Sequence, residues 1–235
     1  MPIYLVEGIC HIKMSVEVER KFTCNPDTLK TLEKIGVCVG HHQFHDQYFD
    51  TPTFDLTLRN MWLRKRKGCW ELKCPTTQSV NSTQNSSGQQ SKAGLCTQYN
   101  ELTNLHEIHQ RVIEVINAVC EERGTKPIQL DLEESWVQNA NLVCFAEFTT
   151  IRQSFALKGE GVNVDLDQAD FGYQVGEVEV VIPKGGDVQA ALEKIENIAK
   201  KLGLNPHERV LGKMDVYLKK NNPEHLATLK RMHVL

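Results

Sequence analysis

The chain has 235 residues, 40% hydrophobic and 24% charged, enough for one domain with a buried core. Its formal net charge of -3 excludes a protein that holds nucleic acid by bulk positive charge, so any polyanion site must be built locally. No apolar run approaches the roughly 20 residues of a transmembrane helix.

Met1 to Lys13 carries a short apolar patch, Ile3-Tyr4-Leu5-Val6, followed by Glu7, a pattern unlike a signal peptide. Residues 1–13 are expected to be an N-terminal extension, with a single domain over 14–235. Strands are predicted at 15–23, 44–50, 54–59, 61–67, 69–74, 95–102, 142–148, 150–158, 161–167 and 173–183, most of them short and bounded by Gly or Pro signals. Asn25-Pro26-Asp27 opens a helix that stops at Gly36. A longer helix runs from about Asn104 to Arg123, striped by Ile108, Val112, Val115, Ile116 and Val119. Asp187 to Gly203 is a third, and 206–233 reads as two helices broken at Pro223. Thr76 to Ser91 is an uncharged Ser/Thr/Gln/Asn tract, expected as a polar loop insertion at 76–91. Its two glycosylation-like triplets, at Asn81 and Asn85, are read as accidental in a chain without a leader. Cys10, Cys24, Cys38, Cys69, Cys74, Cys96, Cys120 and Cys144 are scattered with no Cys-x-x-Cys pair. Free thiols and a cytoplasmic location are therefore expected.

Strand side chains alternate faces. In Val16-Glu17-Val18-Glu19-Arg20-Lys21-Phe22, residues Glu17, Glu19 and Lys21 share one face and Val16 and Val18 the other. Glu177 and Glu179 repeat this arrangement around Val178. Neighbouring like charges about 4 Å apart repel by roughly 4 kcal/mol at an effective dielectric near 20. Trp62-Leu63-Arg64-Lys65-Arg66 and Glu71-Leu72-Lys73 supply a matching basic set. Carboxylate rows suited to a divalent cation, opposite cationic rows suited to a polyanion, point to a metal-dependent phosphate site on a sheet. Eight or more strands suggest a closed barrel or a sandwich. With amphipathic helices covering an apolar outer face, the sheet is polar inside, which makes a tunnel.

Glu17-x-Glu19-x-Lys21 resembles the signature of the triphosphate tunnel metalloenzymes, the CYTH superfamily. Tyr48-Phe49-Asp50-Thr51-Pro52, Trp62-Leu63-Arg64-Lys65-Arg66, Trp70-Glu71-Leu72-Lys73-Cys74-Pro75 and Asp165-Leu166-Asp167-Gln168-Ala169-Asp170-Phe171-Gly172-Tyr173 are similar to its thiamine triphosphatase branch. The resemblance implies an α+β, mainly β fold: an eight-stranded antiparallel barrel with flanking helices. It also implies magnesium-dependent hydrolysis of the terminal phosphate of thiamine triphosphate; a monomer is expected. By motif position, Lys21, Arg64, Arg66, Lys73, Arg152 and Lys213 would bind triphosphate. Glu17, Glu19, Asp165, Glu177 and Glu179 would hold Mg2+, with Glu19 or Glu179 orienting the attacking water. Trp62 would lie against the thiamine rings, since an indole face attracts a thiazolium by roughly 0.5–2 kcal/mol. Asn100 stands where a lysine is usual, which is expected to weaken one substrate contact.

Two other readings share the constellation. One is hydrolysis of inorganic triphosphate, or cyclisation of ATP, on the same barrel. The other is a polyphosphate- or nucleotide-binding module without turnover. Asp167 and Asp170 are read as turn residues rather than metal ligands. His41, His42 and His45 are read as surface histidines of an irregular stretch.

Overall fold

A computed structural model describes residues 15–76, 95–128, 135–157 and 159–235. The extension at 1–13, Cys10 and all but the first residue of the insertion at 76–91 lie outside the described residues. The strands are β1 (Ser15–Phe22), β2 (Gly36–Asp50), β3 (Trp62–Arg66), β4 (Cys69–Pro75), β5 (Cys96–Leu102), β6 (Val143–Leu157), β7 (Val162–Ala169) and β8 (Tyr173–Pro183). They close into an antiparallel barrel in the order β1-β5-β4-β3-β2-β6-β7-β8. The helices are α1 (Pro26–Ile35), α2 (Leu105–Glu122), α3 (Trp136–Asn139), α4 (Val188–Lys201), α5 (Lys213–Asn221) and α6 (Pro223–Arg231).

Local chemistry sets the helix starts. Asn25 Oδ1 accepts from the N–H groups of Asp27 and Thr28, and Pro26 supplies a preset φ at the first helical position. Asn104, Asp187 and Asn222 cap α2, α4 and α6 in the same way. Each capped helix then lays an apolar stripe on the outer barrel wall. Ile195 and Ile198 of α4 and Leu32 of α1 pack on Val16, Val18, Val178 and Val180. Ile108, Val112 and Ile116 of α2 cover Leu63, Leu72 and Leu102. Burying each such side chain contributes about 1.5–3 kcal/mol. Phe22 lies so close over Gly176 that a Cβ there would meet the ring at 2.2 Å, so only glycine fits that strand position.

Several expectations are corrected. Residues 54–59 are not a strand: Asp50 accepts backbone N–H bonds from Thr51, Leu56 and Thr57 at 2.8–2.9 Å and folds the segment into a 3-10 turn at Thr57–Arg59. Positive φ at Phe54 (60°) and Asn60 (56°) further excludes a strand. The segments 142–148 and 150–158 form one continuous strand, β6, because β2 extends back to Gly36 and pairs along its length. His41, His42 and His45 are exposed as expected but sit on β2 rather than in irregular chain. The C-terminal helices begin at Lys213, leaving 206–212 non-helical. Among the described residues the seven cysteines are free, and no helix is long and apolar enough to cross a membrane.

Candidate active site

Barrel closure turns the alternation seen in sequence into two walls. Pairing of β1 with β8 sets Glu19 against Glu179 and Lys21 against Glu177. Pairing of β7 with β8 adds Asp165 beside Glu177. On the far side β3 presents Trp62, Arg64 and Arg66 inward, with Lys73 of β4 opposite Trp62. Arg152 enters from β6 and Lys213 from the first turn of α5. The outward residue between Glu19 and Lys21 is Arg20, which bonds Glu196 at 3.2 Å and the carbonyl of Asn205 at 2.8 Å, away from the tunnel.

Glu17, Glu19, Lys21, Trp62, Arg64, Arg66, Lys73, Arg152, Glu177 and Lys213 all line one cavity of about 430 Å³. Asp165 and Glu179 adjoin it through Arg152 and Glu19 respectively. Asn100 pairs with outward-facing Val16, so it faces away from the tunnel and the contact assigned to it is absent; Glu101 points inward toward Arg64, at 3.6 Å.

The cations are held by carboxylates. Lys21 bonds Glu19, and Lys73 pairs with Glu17 and, at 3.7 Å, with Glu19. Arg64 bonds Glu71 at 2.6 Å. Arg66 is bidentate on fully buried Asp46, at 2.5 and 2.7 Å, with its guanidinium 3.9 Å from the centre of the Phe44 ring. Arg152 is bidentate on Asp167 at 2.6 Å and reaches Glu177 at 3.0 Å. Lys213 also bonds Asp167, and it approaches Glu177 at 3.4 Å.

Asp167 is therefore a tunnel residue, not a turn residue. Its reading as a turn is corrected by β7, which continues to Ala169 and turns Asp165 and Asp167 to the same face. The signal was in the sequence: Asp165-x-Asp167 alternates as Glu17-x-Glu19 does. Asp170 does serve the turn, accepting from the Thr149 N–H at 2.9 Å. Asp46, Thr97, which donates to Glu19 at 3.0 Å, and Ser154, which donates to Asp165 at 2.7 Å, carried no motif that sequence reasoning could use.

The carboxylates Glu17, Glu19, Asp46, Glu71, Glu101, Asp165, Asp167, Glu177 and Glu179 outnumber the cations Lys21, Arg64, Arg66, Lys73, Arg152 and Lys213. Their titration follows from their placement. Burial opposes ionisation of Glu177, but Lys213, Lys21 and Arg152 together hold its carboxyl down at about 2. Burial likewise works against Glu19, and Lys21 and Lys73 outweigh it. Glu179 makes no hydrogen bond or ion pair among the described residues. Burial first, then Glu17, Asp165 and Glu19, push its carboxyl up to about 8, against partial relief from Lys73. Burial also raises Glu17 and Asp165.

Among the described residues no three His, Cys, Asp or Glu side chains form a ready-made metal cage. The donor set is nonetheless hard oxygen, and the uncompensated charge around Glu179 is what a divalent cation would neutralise. Glu17, Glu19, Asp165, Glu177 and Glu179 carry the oxygen donors of that set.

The CYTH domain profile matches residues 15–210. Thiamine-triphosphatase of Macaca fascicularis is 34% identical over 223 residues, covering 91% of this chain and 89% of that protein. Thiamine-triphosphatase of Homo sapiens is 34% identical over 218 residues, covering 89% and 86%. The PH1819 protein from Pyrococcus horikoshii OT3 shares the fold, with a TM-score of 0.55 at 18% identity over 87% of this chain and 99% of that one.

Proposed function

The chain belongs to the CYTH domain family, and on that premise we propose that it hydrolyses thiamine triphosphate to thiamine diphosphate and phosphate with magnesium as its metal. The observation that carries this reading is one cavity of the closed barrel with a cationic wall, an excess of carboxylates and Trp62 beside the cations. Lys21, Lys73, Arg64, Arg66, Arg152 and Lys213 bind the triphosphate by charge-assisted hydrogen bonds, exchanging their carboxylate partners for phosphate oxygens. Glu17, Glu19, Asp165 and Glu177, so released, join the unpaired Glu179 as carboxylates available to the metal. Magnesium, when bound, neutralises these acids and offsets charge on the terminal phosphate.

Phosphoryl transfer is chiefly a matter of position and charge stabilisation. Water forms a new P–O bond at the terminal phosphorus while the bond to the bridging oxygen breaks, and thiamine diphosphate leaves with that oxygen. Glu19 or Glu179 orients the water and accepts its proton. Trp62 provides the aromatic surface for the cationic ring. The substrate is a small molecule, and a monomer located in the cytoplasm is the form proposed, in keeping with unpaired cysteines.

The test is phosphate release with magnesium from thiamine triphosphate, inorganic triphosphate and ATP in parallel, with Glu179→Gln as control. The expected result is strong preference for the thiamine compound, lost in the variant. Preference for inorganic triphosphate or ATP would overturn the thiamine assignment, and no turnover of any of the three would leave a binding module.

A further inference from the structure

Asn60 closes the 3-10 turn at Thr57–Arg59 in the left-handed region, φ 56° and ψ 33°, with its N–H bonded to the carbonyl of Thr57. Asparagine and glycine tolerate that conformation, and most residues do not. Its side chain does something a turn does not require. Asn60 Oδ1 accepts from the indole Nε1–H of Trp62 at 2.9 Å and from the hydroxyl of Tyr99 at 3.0 Å. An indole N–H only donates, so the amide atom facing it is the oxygen, and Tyr99 must donate to that same oxygen.

The two anchored rings stand on either side of Lys73. Trp62 is its cross-strand partner, and the Lys73 ammonium lies 5.9 Å from the centre of the Tyr99 ring. Trp62 is backed by Leu218, Leu226 and Leu229, and the Asn60 bond fixes the direction of its indole N–H. Both rings line the tunnel, and Asn60 bonds none of the tunnel lysines or arginines. One oxygen thus sets two aromatic walls without engaging the phosphate site.

We propose that Asn60 is a positioning residue for the organic half of the substrate, acting through Trp62 and Tyr99. The ligand class it favours is a planar, cationic heteroaromatic joined to a polyphosphate. This rests on the functional reading above. Loss of the amide leaves a buried indole N–H and a phenol without their common acceptor, and the rings lose the orientation that receives the heterocycle.

The experiment compares Asn60→Gly, which keeps the backbone conformation and removes the acceptor, with Asn60→Asp, which keeps the acceptor. Two quantities are measured: KM for thiamine triphosphate, and the Ki of inorganic triphosphate, which lacks the ring, as a competitive inhibitor. Asn60→Gly should raise KM about tenfold while Ki stays within about twofold, and Asn60→Asp should stay within about threefold of wild type on both. An unchanged KM in Asn60→Gly, a Ki that rises in step with KM, or an equal loss in Asn60→Asp would overturn the assignment. If Asn60→Gly does not fold, Tyr99→Phe decides: KM should rise with Ki unchanged, and no rise overturns it. A wild-type chain that does not turn over thiamine triphosphate would overturn the functional reading and this role together. Turnover of thiamine triphosphate by wild type with an unchanged KM in Asn60→Gly would overturn this role alone.

Discussion

Glu19 and Glu179 are direct cross-strand partners on β1 and β8, and their carboxyls titrate in opposite directions. The difference is company. Glu19 has Lys21 and Lys73, whereas Glu179 has burial and other carboxylates around it. One register position therefore holds a fixed negative charge beside a group that keeps its proton near neutrality.

A proton should consequently leave when the metal arrives. The folded chain holds the Glu179 proton from the ordinary value of 4.5 up to about 8, so metal-free stability falls as pH rises through that window. Metal ligation needs the carboxylate, so adding magnesium at pH 7 should release close to one proton per chain, on the order of 0.9 for a pKa of 8. Titration calorimetry in buffers of different ionisation enthalpy reads this directly. Glu179→Gln should abolish the release, and wild type releasing none would remove Glu179 from the metal site.

Asp167 braces Arg152 and Lys213 together, so its charge sets where both cations point. Asp167→Asn keeps the shape and removes the charge. With charge-assisted bonds contributing roughly 1.5–3 kcal/mol, KM for thiamine triphosphate should rise about ten- to a hundredfold. Asp170→Asn, which alters only the turn after β7, should leave KM unchanged. Equal KM values for wild type and Asp167→Asn would show that the brace has no part in binding.

His225 ties α6 to the 3-10 turn. It is stacked on Phe54 with ring centres 3.6 Å apart, and its Nε2 lies 2.9 Å from Thr57 Oγ1. Burial depresses its imidazole from 6.5 to about 4. The unfolded chain therefore binds more protons in that interval, so the His225 contribution is complete above pH 6.5 and lost as pH falls toward 4. Urea midpoints at pH 7.5 and pH 5 should separate more in wild type than in His225→Gln. Equal separation would mean that the imidazole is not held neutral.

Much of the barrel was legible because its walls obey a period of two. Glu17, Glu19, Glu177 and Glu179 alternate with Val, Trp62 and Arg64 flank Leu63, and those outer Val and Leu residues are ones that α4 and α2 cover. The first half of β2 was not legible, because Gly36 to Gln43 lies at the rim with both faces wet and has no alternation to read. Phe54-Asp55-Leu56-Thr57-Leu58 does alternate and still fails as a strand, since three backbone N–H groups converge on Asp50 nearby. Asp167 was hidden by the turn preference of aspartate, a local tendency that strand pairing overrides. Asn60 could not be found at all, because its role exists only once β3 and β5 stand in one wall.

The pairing of Lys21, Arg64, Arg66, Lys73, Arg152 and Lys213 with carboxylates gives the cavity the character of an ion exchanger. A ligand enters by displacing internal acids, so it must carry enough negative charge to replace several of them at once, and a single phosphate carries too little. The same acids return to the lysines and arginines as the polyanion is shortened. Arg152 and Lys213 close again on Glu177, Lys73 on Glu17, and the chain itself expels what it has cut.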